Sequence, residues 1–190
     1  MLDVPGEEKF AGSSISWCAV CDGVHYRDKK VIVIGGGNSA VEEAVFLADI
    51  AEEVIVVTLF NLTADLAACE KLRIIPNVKI YEYHEVLEFF GTGKFQGLKA
   101  KSTETDREII IEADGAFEYI GLQPTTEAFT DLGILDEYGY IAVDCSMSTR
   151  IDGIFGAGDA TVKSLRQIVT ACNDGAIAAQ AIVKYLEKLK

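Results

Sequence analysis

Two cysteines separated by two residues, Cys18 and Cys21, follow Trp17 and precede Asp22-Gly23. Ten residues beyond Cys21 begins Val31-Ile32-Val33-Ile34, which runs into Gly35-Gly36-Gly37-Asn38-Ser39-Ala40. A CxxC pair closes a small disulfide whose redox poise is set by local charge and hydrogen bonds. An apolar strand opening onto Gly-x-Gly-x-x-Ala at a helix start is the pattern of a dinucleotide turn. Gly35 permits the tight turn, Gly37 lets a pyrophosphate approach the backbone, and Ala40 lets helix pack closely on strand. A dithiol beside such a turn implies electron transfer between a nicotinamide and a disulfide. Asp22 is placed to hold the proton that a leaving thiolate needs.

Other readings of the pair are weaker. A structural zinc site needs four ligands, commonly a second close pair. Cys69, Cys145 and Cys172 are scattered and the only histidines are His25 and His84, so no metal site is expected. His25 has the chemistry of a proton relay, but a polar residue on a surface turn is the favoured reading.

The elements that position these residues follow from hydrophobic pattern. Residues 1–24 read as an irregular lead-in. Val31–Ile34 and Val54–Val57 are all-apolar runs of the kind buried on both faces of a parallel sheet. Between them Val41, Ala44, Val45 and Ala48 recur at helical spacing, giving a helix from about Ser39 to Ile50. A second helix covers Ala64–Arg73 and ends before Pro76. Short strands follow at 78–81, 85–90, 98–102 and 109–112, where Gly91-Thr92-Gly93 suggests an antiparallel meander. Ala116–Ile120 reads as the returning strand. Gly121-Leu122-Gln123-Pro124 then breaks the pattern, followed by a short strand at 140–143, the Gly156-Ala157-Gly158-Asp159 segment and a long helix from Leu165 to Leu189. Leu165, Ile168, Val169, Ile182, Val183 and Leu186 share one side of that helix.

Composition narrows the class. The 190 residues are 49% hydrophobic and 25% charged, with a formal net charge of −13. Nucleic acid and anionic membrane surfaces need a cationic face, so neither is an expected partner. No apolar run is long enough to span a bilayer. The first residues lack the basic and apolar regions of a signal peptide. An odd count of five cysteines with one close pair suits a cytoplasmic chain better than a secreted disulfide framework.

The donor is read from the end of the second strand. An acidic residue there selects NADH, and a basic one selects the 2′-phosphate of NADPH. The segment Thr58-Leu59-Phe60-Asn61 carries neither, and no charge appears between Glu53 and Asp65. NADH is favoured over NADPH because a 2′-phosphate finds no cation.

In the order of its motifs the chain resembles the low-molecular-weight thioredoxin reductases and the related flavoprotein subunit of alkyl hydroperoxide reductase. The motifs are Val4-Pro5-Gly6-Glu7, Cys18-Ala19-Val20-Cys21-Asp22-Gly23, Gly35 to Ala40, Gly121 to Pro124, Gly156 to Asp159, and Arg166-Gln167, and the likeness runs over essentially all of the chain. It implies an α/β fold: a Rossmann-like, three-layer nucleotide-binding domain with parallel sheet and antiparallel meander over residues 1–125, and the C-terminal half of an FAD-binding domain over 126–190. It implies that Cys18 and Cys21 form the active-site disulfide, with Asp22 as proton donor. Asp159, with Gly158, falls at the ribityl and pyrophosphate region of FAD, and Arg166, Gln167 and Ile168 fall near the flavin ring. Gly121 to Pro124 is the expected hinge of a domain rotation, and the implied partner is a thioredoxin-like small redox protein.

Two departures stand out. At Thr58 to Thr63 the family's basic 2′-phosphate signature is missing, and so is the acidic residue near Thr58 found in NADH-using relatives. The family's first FAD-binding βαβ segment, with its own GxGxxG, is also not within these residues. Either these residues are a piece of a longer reductase or a complementing FAD-half chain supplies that segment; the apolar surface left exposed on the half-domain is expected to drive association, as a homodimer or with that chain. The alternatives to a reductase are a non-catalytic dinucleotide-binding or docking module, and an enzyme fed by another donor such as reduced ferredoxin.

Overall fold

The computed structural model describes residues 1–190 and divides into two compact units, Met1–Gly121 and Leu122–Lys190. In the first unit, β1 (Ile15–Ser16), β2 (Lys30–Ile34), β3 (Glu53–Val57), β4 (Val78–Tyr81) and β8 (Gly115–Glu118) make one parallel sheet in the order β1-β8-β2-β3-β4. β2 and β3 pair in register from Lys30–Glu53 to Ile34–Val57. Their apolar runs, Val31–Ile34 and Val54–Val57, are explained by two cores on opposite faces. Val31, Val33, Val54 and Val56 point to one face, where α3 (Asn38–Ala48) and α4 (Leu66–Arg73) supply Ala40, Val41, Ala44, Leu47 and Leu72. Ile32, Ile34, Ile55 and Val57 point to the other, against Val86, Phe89, Leu98, Ala100 and Ile111 of a second sheet.

That second sheet is antiparallel, β5 (His84–Phe90), β6 (Gly97–Ser102) and β7 (Glu108–Glu112), with an irregularity between Val86 and Glu88. The meander therefore has three strands, and the first of the expected short strands, β4, joins the parallel sheet as an edge. Helices, parallel sheet and meander make the three layers. Alternating side chains on a strand can bury both faces only when each face is covered, which is why β2 and β3 carry no polar residue within their apolar runs.

The lead-in is more ordered than its sequence suggests. It contains α1 (Glu7–Phe10), β1, α2 (Ala19–Asp22) and a 3-10 turn over Gly23–Tyr26. β1 is two residues long, too short to show a period, and it forms because β8 offers it a free parallel edge. The Tyr26 ring packs edge-on to Phe117 and lies against Gly115, where a Cβ would overlap it.

In the second unit, the expected strand at 140–143 is absent. Ile141 makes only isolated bridges, to Leu135 and Thr161. A 3-10 turn spans Glu127–Leu132, another spans Gly158–Ala160, and α5 runs Ile168–Lys188. Buried Asp174 ties α5 to the rest of this unit. It accepts the Gly158 N–H at 3.1 Å and pairs with Lys163. The apolar side of α5, including Ile168, Val169, Val183 and Leu186, is exposed. No helix is long and apolar enough to cross a membrane.

Candidate functional site

Cys18 and Cys21 are joined in a disulfide, with Cα atoms 5.2 Å apart. Cys18 is the N-cap of α2, and its Sγ accepts the Cys21 N–H at 3.2 Å while its carbonyl accepts the Asp22 N–H at 3.1 Å. The short helix folds because a residue of extended backbone precedes it and its first N–H groups are met locally. Cys18 is half-buried and Cys21 exposed.

The residue before this turn organises it. Buried Ser16, the last residue of β1, donates from Oγ to Asp22 Oδ2 at 2.5 Å, and the same oxygen accepts the Cys18 N–H at 3.1 Å. Tyr119, just past β8, accepts the Ala19 N–H at its phenol oxygen at 2.7 Å. Burial pushes the Tyr119 phenol up to about 12, so it stays neutral. Trp17 donates from Nε1 to Glu118 Oε2 at 2.9 Å. The sheet edge thus holds Trp17, Cys18, Ala19 and Asp22 by four separate bonds. A cavity of about 280 Å³ opens beside the turn, lined by Ser14, Ser16, Asp22, His25 and Tyr26 among others. His25 itself is exposed.

Ser16, Tyr119 and Glu118 escape a reading by motif. One signal was available: Glu118 is a lone charge in the apolar return run Ala116-Phe117-Glu118-Tyr119-Ile120. Tyr119 acts on Ala19 from a hundred positions away, and the partners of Ser16, Cys18 and Asp22, are local but carry no pattern that marks it.

The glycine-rich turn has the geometry of an anion cradle. Gly35 has φ of 129°, and a Cβ there would overlap the Tyr119 carbonyl oxygen. Gly37 is the N-cap of α3, and open space lies where its side chain would be. Ala40 is fully buried against Gly35. The first N–H groups of an eleven-residue helix have no intrahelical acceptor, and an anion at such an end is stabilised. Ser39 is exposed there. Asn38 is engaged elsewhere: its Oδ1 accepts the Asp65 N–H at 2.8 Å, tying α3 to the start of α4.

The loop after β3 is anchored to the same turn, with the Thr63 and Ala64 N–H groups donating to the Gly36 carbonyl at 2.8 and 3.1 Å. Glu82 pins its middle, accepting from Leu62 N–H at 3.0 Å and Arg73 at 2.5 Å, and both bonds help hold its carboxyl below the usual range. Thr58 is buried against Gly36, whereas Leu59 and Phe60 are 45% and 63% exposed. The exposed residues of the loop, Leu59, Phe60, Asn61 and Thr63, carry no charge.

The remaining predicted positions lie at the unit boundary and in the second unit. Gly121, with φ of 107°, ends the first unit. Asp159 is exposed on the turn that Gly158 opens with φ of 78°. Arg166 donates from Nε to the Asp159 carbonyl at 3.3 Å and stacks over Tyr140 at 4.1 Å. Gln167 caps α5 in a reciprocal bond pair with Thr170, and Ile168 is 85% exposed.

Residues 1–175 match the family described as pyridine nucleotide-disulphide oxidoreductase. Thioredoxin reductase of Listeria monocytogenes is 44% identical over all of this chain and 60% of its own length. The structure of Streptococcus pyogenes thioredoxin reductase covers 99% of the chain and 62% of that protein, at 39% identity and a TM-score of 0.94. A ferredoxin-flavin thioredoxin reductase from Clostridium acetobutylicum covers 97% of the chain and 59% of its own, at 32% identity and a TM-score of 0.53. The chain spans about 60% of the length of the curated relatives it matches. It belongs to the pyridine nucleotide-disulphide oxidoreductase family, and within that family it is similar to thioredoxin reductases.

Proposed function

We propose that these residues form the dithiol-bearing dinucleotide domain, 1–125, and the C-terminal part of the FAD-binding domain, 126–190, of a flavoprotein disulfide reductase acting on a thioredoxin-like protein. The observation that carries the reading is the Cys18–Cys21 disulfide, seated in the same unit as a Gly35-x-Gly37-x-x-Ala40 turn with open space over Gly37. A nicotinamide dinucleotide fits that cradle. Its pyrophosphate would lie over Gly37 and Ser39, with Asn38 and Thr58 shaping the edge. FAD fits the second unit through Gly158, Asp159, Arg166, Gln167 and the exposed Ile168, with Gly121 at the hinge. Bound FAD supplies a two-electron relay between nicotinamide and disulfide.

At the dithiol, two electrons and two protons open the disulfide to two thiols. Asp22 takes the proton from one thiol, and the resulting thiolate attacks one sulfur of the partner's disulfide. The partner's other sulfur leaves as a thiolate and accepts the proton from Asp22. The second cysteine then loses its proton to solvent and attacks the mixed disulfide. That step releases the partner's remaining thiolate, which is protonated, and restores Cys18–Cys21. Ser16 steadies the Asp22 carboxylate and the Cys18 backbone together. NADH is favoured over NADPH because Leu59 and Phe60 offer a 2′-phosphate no cation. The protein acts in the cytoplasm, as a homodimer or with a complementing FAD-half chain.

A second reading, with reduced ferredoxin as donor, has the same uncharged loop in its favour, together with the likeness to the Clostridium acetobutylicum protein. The test is turnover of the flavoprotein that carries this chain, with thioredoxin and each donor in turn. Thioredoxin reduction should disappear in Cys18→Ser while flavin reduction persists. Retained thioredoxin reduction in Cys18→Ser would end the reductase reading.

A further inference from the structure

Glu118 and Glu7 are the two most deeply buried carboxyl groups in the chain, 2% and 1% exposed. They come from different elements, β8 and α1, and the Glu7 carboxyl is close enough to act on Glu118 through charge and hydrogen bonding. Glu7 uses both of its oxygens on the backbone, accepting the Leu2 N–H at 2.8 Å and the Asp3 N–H at 2.7 Å. Glu118 uses Oε2 on the Trp17 indole, and its Oε1 is buried with no donor. An acceptor left bare in the interior is costly, and two ionised carboxylates in contact repel. One proton on Glu118 Oε1, donated to Glu7, resolves both.

We propose that Glu7 and Glu118 share a single proton, and that Glu118 is a positioning residue that holds Trp17, and through it the Cys18 end of the dithiol, in a protonation-dependent way. Trp17 is the residue before Cys18, so a bond that fixes its ring fixes the entry to α2. When the shared proton leaves, the pair becomes a dianion with little access to water, and the Glu7–Glu118 contact that sets the indole's acceptor opens. Burial, with the facing charge of Glu7, raises the Glu118 carboxyl to about 7, while the Trp17 bond and the Met1 α-amino group act in the opposite sense. Glu7 and that amino group are the charged groups acting on Glu118. Its partner on β2 is apolar Ile34. The proton pair does not depend on the reductase reading; only its consequence for turnover does.

The chain has one tryptophan, so its emission reports on Trp17 alone. Fluorescence of the 190-residue chain between pH 5 and 9 should show one step centred near pH 7. Glu118→Gln should abolish the step, and Glu7→Gln should move it down by about one unit by removing the facing charge. Reduction of the disulfide by a phosphine, compared between the wild-type chain and Glu118→Gln, should differ between the two sides of that step. Carbon-13 NMR of labelled glutamate carboxyls in the wild-type chain needs no variant to fold, and should show one glutamate titrating near neutrality. If every glutamate titrates below about pH 5.5, or the fluorescence step survives in Glu118→Gln, the proposal is wrong.

Discussion

Replacing Ser16 by Ala removes one oxygen that serves both ends of the dithiol turn. The hydroxyl donates to the Asp22 carboxylate at 2.5 Å and accepts the Cys18 N–H at 3.1 Å. A hydrogen bond to a charged group contributes about 1.5–3 kcal/mol, and an amide left without an acceptor costs about 1 kcal/mol more. Asp22 is half-buried, so water recovers part of its solvation in the variant. The net loss expected is therefore about 2 kcal/mol, roughly 4–8 °C in the melting temperature for a protein of this size. Calorimetry of the oxidised 190-residue chain measures that directly. In the flavoprotein, thioredoxin reduction should fall about tenfold, equivalent to ~1.4 kcal/mol of lost positioning, while flavin reduction by the donor is unchanged. Ser16→Thr keeps the hydroxyl and should retain most of both. If Ser16→Ala melts within about 1 °C of wild type and turns over normally, the two bonds add nothing, and the turn is held by Tyr119 and Trp17 alone.

Further outcomes follow from other parts of the structure. Because Glu118 titrates near 7 rather than at the ordinary 4.5, the folded state holds a proton that the unfolded chain loses first. Its contribution is complete below pH 4.5 and is lost as pH rises through about 7, a fall on the order of 3 kcal/mol that urea unfolding across pH 4–8 should show, and Glu118→Gln should flatten it. Leu59→Arg with Phe60→Arg places two cations on the exposed loop, and titration calorimetry should show NADPH affinity rising about tenfold with NADH little changed; no change would place the ribose elsewhere. Truncating fully buried Leu47 of α3 to Ala should cost about 3 kcal/mol in urea unfolding, and a cost below about 1 kcal/mol would argue against the packed helix layer. The 190-residue polypeptide by itself is expected to carry well under one FAD per chain, because only one dinucleotide turn lies within it. A full flavin absorption band would refute that expectation.

The parts of this protein whose physics is local are legible in its residue order. Val31–Ile34 and Val54–Val57 announce buried parallel strands because every side chain in them is apolar, and the Gly35-Gly37-Ala40 turn announces a helix packed close on a strand. The Cys18–Cys21 spacing permits the disulfide, and the missing charge from Thr58 to Ala64 is legible without coordinates. What surrounds the dithiol was decided by tertiary structure. Trp17–Glu118 and Ala19–Tyr119 join residues about a hundred positions apart in the chain, and a two-residue β1 exists only because β8 lies beside it. The direction in which α5 presents its apolar side could not be read from period alone. Periodicity says which residues share a face, but only packing, here around buried Asp174 and Ala178, says which face turns inward. In sequence Glu118 stands out only as a lone charge in an apolar run, which does not say what it faces. It becomes a shared-proton group only when folding withdraws it from water and sets a second carboxyl against it.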